Sequence, residues 1–92
     1  MSQVRIPPVL RDAVGGTRQV EAAGGTVSAV LDDLFARYPA LRERVTEDGE
    51  LSHFVNVYVN DRDVRYREGL ATAVGPDDTV ILLPAMAGGG RP

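Results

Sequence analysis

The C-terminal segment carries the residues whose types and spacing suggest chemistry. Three glycines, Gly88, Gly89 and Gly90, follow the short sequence Ala-Met-Ala at positions 85–87, and Arg-Pro follows them. Glycine allows unusual backbone dihedrals and lets the chain approach another surface closely. Such a peptide favours a substrate that is threaded into a narrow active site of another protein, where its terminal carboxylate reacts. From the residues alone, a frayed terminus is the alternative, since many domains have one.

The segment is long enough to reach a buried site, but it offers little to hold it there. Gly89 lies five residues beyond Pro84, the end of a predicted strand. Five extended residues span at most about 16–18 Å. Ordering them costs on the order of 5–10 kcal/mol, and the segment has almost no side chains that could offset this cost. We therefore expect the affinity for a partner to come from a folded surface.

Other chemistries receive weaker support. The chain has no cysteine and a single histidine, His53, which excludes a disulfide framework, a thiolate nucleophile and a histidine-pair metal centre, so no metal site is expected. Acidic pairs at positions 32–33 and 77–78 lack the spacing of a calcium loop. Glycine pairs at 15–16 and 24–25 lack the spacing of a phosphate-binding loop and indicate turns.

The composition indicates one small soluble domain. The chain has 92 residues and a net charge of −3, and all ten of its basic residues are arginine. The acidic balance and the scatter of the arginines argue against a nucleic-acid partner. Apolar runs are too short for a membrane span, and the N-terminal residues lack a signal-peptide pattern, so we expect a cytoplasmic protein with no membrane association.

An amphipathic helix is predicted after the second glycine pair. Its apolar residues recur at i, i+3, i+4, i+7, i+8 and i+11: Val27, Val30, Leu31, Leu34, Phe35 and Tyr38. Thr26 is placed to cap its first turn. Pro39 ends it near Tyr38, because the residue before a proline avoids the helical region. Residues 40–45 predict a further helical turn, and residues 46–52 a polar loop.

Strands precede and follow this helix. Residues 4–10 and 17–22 predict a hairpin, with Pro7 and Pro8 favouring an edge or irregular first strand. Residues 54–60 form the clearest strand, residues 64–66 a short return strand, and the apolar run 79–84 a central strand. A last strand beside the first would run parallel to it. This order predicts an α+β, β-grasp (ubiquitin-like) fold with a mixed sheet of about four to five strands and one main helix across it.

The outer face of that sheet is the candidate interface. Phe54 and Tyr58 alternate away from the valines of their strand, and Leu82 or Ile81 on the neighbouring strand could extend the patch. A contiguous apolar patch on a small soluble domain usually marks an interface, although ordinary packing is the alternative. Met86, next to the tail, is a further interface candidate.

Several segments together resemble the ThiS/MoaD-type ubiquitin-like sulfur carriers. They are "IPPVLRDAVGG", "FVNVYVNDRDVRY", "GLATAV" and "TVILLPAMAGG", and the similarity, which is strongest to the branch that serves cysteine biosynthesis, extends to Gly89. The resemblance implies a co-substrate that is not an enzyme and has no bound cofactor. An E1-like enzyme would use ATP to adenylate the carboxylate of Gly89, and a sulfur donor would convert it to a thiocarboxylate. The thiocarboxylate would then donate sulfur on a PLP-dependent synthase, and a metalloprotease would release the product.

The end of the chain departs from this family, whose members usually end at Gly-Gly. Gly90 and residues 91–92 follow the expected terminus here. We therefore expect residues 1–87 to form the carrier domain and residues 88–92 a glycine-rich tail that a protease, plausibly a metalloprotease, trims after Gly89. Trimming after Gly90 is the alternative. Gly88, and Gly90 if it is retained, would allow the tail to be threaded.

Other functions remain open at this point. The chain could carry sulfur for thiamine, molybdopterin or a secondary metabolite, could form isopeptides with target lysines as a protein modifier, or could be a non-covalent ubiquitin-like interaction module. Its lack of lysine excludes self-conjugation through a lysine amine. A monomer is the family expectation.

Overall fold

The computed structural model describes residues 1–48, 50–52, 55–64 and 67–84. Their elements, in chain order, are β1 (Ser2–Arg5), a 3-10 helix (Pro8–Val14), β2 (Gln19–Ala22), α1 (Val27–Arg37), α2 (Pro39–Val45), β3 (Thr46–Glu47), β4 (Glu50–Leu51), β5 (Val55–Val59), β6 (Arg62–Asp63), a 3-10 helix (Gly69–Ala71) and β7 (Thr79–Pro84).

A mixed sheet of five strands organises the described part of the chain. Its order is β2-β1-β7-β5-β6, while β3 and β4 pair separately with each other. The last strand, β7, runs parallel to β1, with Val4 opposite Val80, and antiparallel to β5. The predicted parallel pairing of the first and last strands is therefore confirmed. With α1 packed into the core below this sheet, the architecture is the predicted β-grasp.

The sequence of α1 explains where it starts and which face it buries. The side chain of Thr26 accepts a hydrogen bond from the backbone N–H of Ala29 at 3.2 Å, as predicted for the cap. Arg37 is its last residue, and Tyr38 adopts a non-helical conformation before Pro39. The predicted apolar face is confirmed: Val27, Val30, Leu31 and Leu34 are buried, and Phe35 and Tyr38 pack against the same core.

The first strand differs from the prediction in its length and in its place in the sheet. It ends at Arg5, and Pro8 is the first residue of a 3-10 helix. The two prolines therefore lie beyond the ladder and remove no hydrogen bond from it. For this reason β1 occupies an interior position between β2 and β7, and the prediction of an edge strand was wrong.

Three further predictions concern shorter segments of the chain. Residues 65–66 of the return strand predicted at 64–66 lie outside the described residues. Pairing with β5 is observed just before them, at β6, because Asn60 adopts a positive φ of 59° and the chain reverses immediately after β5. The segment predicted as a polar loop, 46–52, contains the short β3–β4 ladder. The helical turn predicted at 40–45 is confirmed as α2, which begins one residue earlier, at Pro39.

Candidate functional site

The last strand pairs with a neighbour on each side, with β1 along its first half and with β5 over nearly all of its length. Gln3, Val4 and Arg5 of β1 pair with residues 79–81, and all of β5 pairs with residues 80–84. The side chains of Val80 and Leu82 have no exposed surface. The β1 ladder fixes the backbone of residues 79–81, and the β5 ladder continues to Pro84 opposite Val55. The end of β7 is therefore held by its pairing with β5.

A polar network fixes the beginning of the same strand. The Asp78 carboxylate accepts from the backbone N–H of Gly75 at 2.8 Å and from the Asn60 side-chain amide at 3.1 Å. Asn60 in turn accepts from the backbone N–H of Thr79 at 3.0 Å, and the buried Ser2 hydroxyl donates to the carbonyl of Gly75. The bonds from Gly75 and Asn60 lower the pKa of Asp78 below its ordinary value, because they stabilise the carboxylate form.

Alternate residues of β7 and its neighbours form an open face of the sheet. Tyr58 lies opposite Ile81, and Arg5 lies on the other side of Ile81. Asn56 lies opposite Leu83, whose side chain is 41% exposed. We call Tyr58, Ile81 and Leu83 the open-face patch. The register thus brings together two aliphatic side chains and an aromatic one from two strands.

Leu82 does not belong to this patch, and its prediction as an interface residue was wrong. It is opposite Val57 and fully buried in the core below the sheet. The continuous apolar run of β7 has no alternation from which its faces could be assigned. The register with β5 assigns Ile81 and Leu83 to the open face instead. Of the other interface candidates, Tyr58 lies in the open-face patch, whereas Phe54 and Met86 lie outside the described residues.

A shallow groove runs beside the end of β7. It has a volume of about 350 Å³ and is lined by residues of the β1–3-10 segment and of the last strand: Arg5, Ile6, Pro7, Pro8, Arg11, Ile81, Leu82, Leu83 and Pro84. The groove meets β7 where the strand ends. The segment that carries the predicted reactive residues, Gly88, Gly89 and Gly90, lies outside the described residues, so their roles stay predictions.

The described residues hold few other chemical groups of interest. Within the described ranges, no three His, Cys, Asp or Glu side chains are arranged to bind a metal ion. No helix in that part of the chain is long and apolar enough to cross a membrane. A depression of about 590 Å³ beside α1 and α2 mixes apolar residues such as Leu31 and Phe35 with Asp32, Arg42 and Glu43.

One feature of the site was missed at the level of sequence. Arg5, Arg11 and Arg18 line a depression of about 540 Å³ together with Ile6 and Gln19. These arginines are scattered along the sequence, and their scatter was interpreted only as an argument against a nucleic-acid partner. The hairpin prediction offered a signal, because folding residues 17–22 back onto the first strand brings Arg18 beside Ile6.

The chain is similar to several known proteins in sequence and in structure. CysO of Mycobacterium tuberculosis, a sulfur carrier protein, is 49% identical over 89 residues, which cover 94% of this chain and 96% of the relative. The structure of the Amycolatopsis orientalis BexX/CysO complex matches with a TM-score of 0.87 and 43% identity, covering 96% of this chain and 99% of that one. Small archaeal modifier protein 1 of Methanosarcina acetivorans matches with a TM-score of 0.86 and 31% identity, over 95% and 94% of the two chains.

The family model supports the same assignment. The model described as the ThiS family matches residues 4–89, which include the sheet from Val4 onward, both α-helices and the first two glycines of the tail. The match ends at Gly89, one residue before the C-terminal departure noted in the sequence. This chain belongs to the ThiS family.

Proposed function

We propose that the chain is a sulfur carrier protein that serves other enzymes as a co-substrate. The observation that carries this proposal is the family match from residue 4 to Gly89, supported by 49% identity to a named sulfur carrier. The geometry is compatible with it, because β7 is fixed by two ladders and the glycine segment follows directly in the sequence. The role needs no catalytic group on the carrier.

The chemistry of such a carrier rests on the terminal carboxylate of Gly89. A carboxylate is a poor electrophile, so its oxygen first attacks the α-phosphorus of ATP on an E1-like partner and expels pyrophosphate. A sulfur nucleophile then attacks the acyl carbon of the adenylate and expels AMP, which leaves a thiocarboxylate. In this product the sulfur anion is the nucleophile. A PLP-dependent synthase that presents an electrophilic acceptor would take up the sulfur for the biosynthesis of cysteine.

Gly90 and residues 91–92 must be removed before Gly89 can react in this way. We propose that a metalloprotease trims the chain after Gly89. Incubating the full chain with extract of the native cells and following the intact mass tests this step. Loss of the last three residues is expected. A thiocarboxylate on a chain that keeps all 92 residues would contradict it, and a product ending at Gly90 would move the cleavage by one residue.

The carrier function is tested with defined chains. Variants ending at Gly89 and at residue 87 are incubated with the adenylating enzyme of the same genome, ATP and a sulfide source. We expect the mass of the first to rise by one oxygen-to-sulfur exchange, and the second, which lacks the glycines, to stay unchanged. No mass change in the chain ending at Gly89 would refute the proposal.

A second candidate is a protein modifier. The structural match to small archaeal modifier protein 1 favours it, because its TM-score equals that of the carriers to within a few hundredths. Both functions begin with the same adenylate, so the acceptor separates them. Lysine-linked adducts in the native extract would favour the modifier, whereas a thiocarboxylate consumed without adducts would favour the carrier.

A further inference from the structure

The arginine cluster is assembled by the backbone from three separate segments. Arg5 ends β1, Arg11 lies in the 3-10 helix and Arg18 precedes β2. The carbonyl of Arg18 accepts from the backbone N–H of Ile6 at 2.9 Å, and the Nε of Arg11 donates to the carbonyl of Ile6 at 3.1 Å. Ile6 therefore holds two of the three segments together, and the third arginine precedes it in the chain.

These three cations have no carboxylate partner among the described residues. The depression that they line contains no Asp or Glu. Elsewhere in the described part, Arg44 pairs with Asp12 at 2.9 Å and Arg37 with Asp33 at 3.3 Å. The depressions of about 590 and 410 Å³ also place arginines beside acidic residues. A local charge of about +3 thus stands in a chain whose net charge is −3.

The cluster is continuous with the groove at the end of β7. Arg5, Ile6 and Arg11 line both the charged depression and the apolar groove that reaches Leu83 and Pro84. A segment lying along both would contact cations at one end and the exit of the last strand at the other. Like charges held together on a surface attract a partner of opposite charge and orient its approach.

We propose that the arginine cluster and the adjoining groove dock a segment of the adenylating partner that carries carboxylates beside an apolar side chain. This inference rests on the proposed function. The carrier has a net charge of −3, and the nucleoside triphosphate to which it must bring its carboxylate is also negatively charged, so the two repel each other. Pairing at the cluster offsets that repulsion at a distance from the reacting carboxylate. The positive patch therefore orients an otherwise acidic carrier so that the end of β7 faces the nucleotide site.

Two triple variants with the same change of net charge test the proposal. One is R5Q/R11Q/R18Q, and the control is R42Q/R62Q/R67Q, whose arginines are exposed and line other depressions. Each is made in the chain ending at Gly89, and AMP formation by the adenylating enzyme is measured against carrier concentration at about 50 mM and 500 mM salt.

We expect the cluster variant to raise KM about tenfold at low salt while kcat stays unchanged, because several weak surface pairs are lost together. The difference should shrink at high salt, and the control should stay within about twofold of the parent chain. The double variant R5Q/R18Q keeps the Arg11 hydrogen bond and should show most of the effect if folding is intact. Equal KM values for the two triple variants, or a rise in KM that is the same at both salt concentrations, would contradict the proposed docking site. Failure of the parent chain to be adenylated would instead remove the proposed function.

Discussion

Two adjacent leucines in β7 should lose very different amounts of stability on the same substitution. Leu82 is fully buried opposite Val57, whereas Leu83 is 41% exposed on the open face opposite Asn56. Leu82→Ala removes buried carbon atoms from a core that closes incompletely around the space, which costs about 2–5 kcal/mol of unfolding free energy. Leu83→Ala removes atoms that are already partly in water, and we expect a loss of about 1 kcal/mol or less.

The size of the first loss matters for a domain of this length. At roughly 0.05–0.15 kcal/mol per residue, 92 residues provide an unfolding free energy of about 5–14 kcal/mol. Leu82→Ala would therefore remove a large share of the stability, while Leu83→Ala should leave the fold intact and weaken adenylation by the partner through a raised KM. The two effects separate the core from the open-face patch within one strand.

Urea unfolding followed by circular dichroism measures both variants. A lower midpoint with an unchanged slope is expected for Leu82→Ala, because the slope reports the surface exposed on unfolding. The partner assay is then run on Leu83→Ala at a temperature where it is folded. Equal losses of stability for the two variants would refute the assignment of faces, and an unchanged KM for Leu83→Ala would refute the role of the patch.

Two more predictions concern the turns that set up the sheet. Gly24 has a φ of 152°, and a Cβ there would lie 2.6 Å from a backbone nitrogen of α1, so Gly24→Ala should destabilise the fold by about 1–3 kcal/mol. Gly25→Ala, with open space around it, is the control in thermal unfolding. Equal losses of stability for the two variants would contradict this expectation. The second prediction concerns Asp78, whose pKa is lower in the folded protein than in the unfolded chain. Its ionised carboxylate therefore stabilises the fold at a pH above its unfolded pKa of about 3.9, and this stabilisation is lost as the pH falls through its folded pKa. The difference in unfolding free energy between the parent chain and Asp78→Asn should be constant from about pH 5 to 7 and shrink below about pH 4. A difference that grows in acid would contradict this sign.

Local periodicity predicted the elements that carry a strong pattern. The helix was predictable because its apolar residues recur with a period of 3.6 and Thr26 and Pro39 bound it. The parallel pairing of β1 and β7 followed from the order of the elements and was confirmed. The prediction of an edge strand at Pro7 and Pro8 was wrong because a sequence does not show whether such prolines lie within a ladder or just after it.

The parts of the site that depend on long-range register were not predictable. Leu82 and Leu83 are chemically identical neighbours, and only the pairing with Val57 and Asn56 decides which one is buried. The arginine cluster likewise depends on contacts across the hairpin, such as the bond between Ile6 and Arg18. Such contacts leave no periodic trace in the sequence.

The energetics connect the tail to the folded surfaces. Ordering the five residues from 85 to Gly89 costs on the order of 5–10 kcal/mol. Burying what remains exposed of Tyr58, Ile81 and Leu83 contributes roughly 2–4 kcal/mol, since full burial of one such side chain is worth about 1.5–3. Three exposed ion pairs at the arginine cluster add about 1–3 kcal/mol, and backbone hydrogen bonds along a partner's channel add about 0.5–1.5 each. Neither the open face nor the cluster alone reaches this cost, so we expect the proposed reaction at the glycines to depend on their attachment to this sheet.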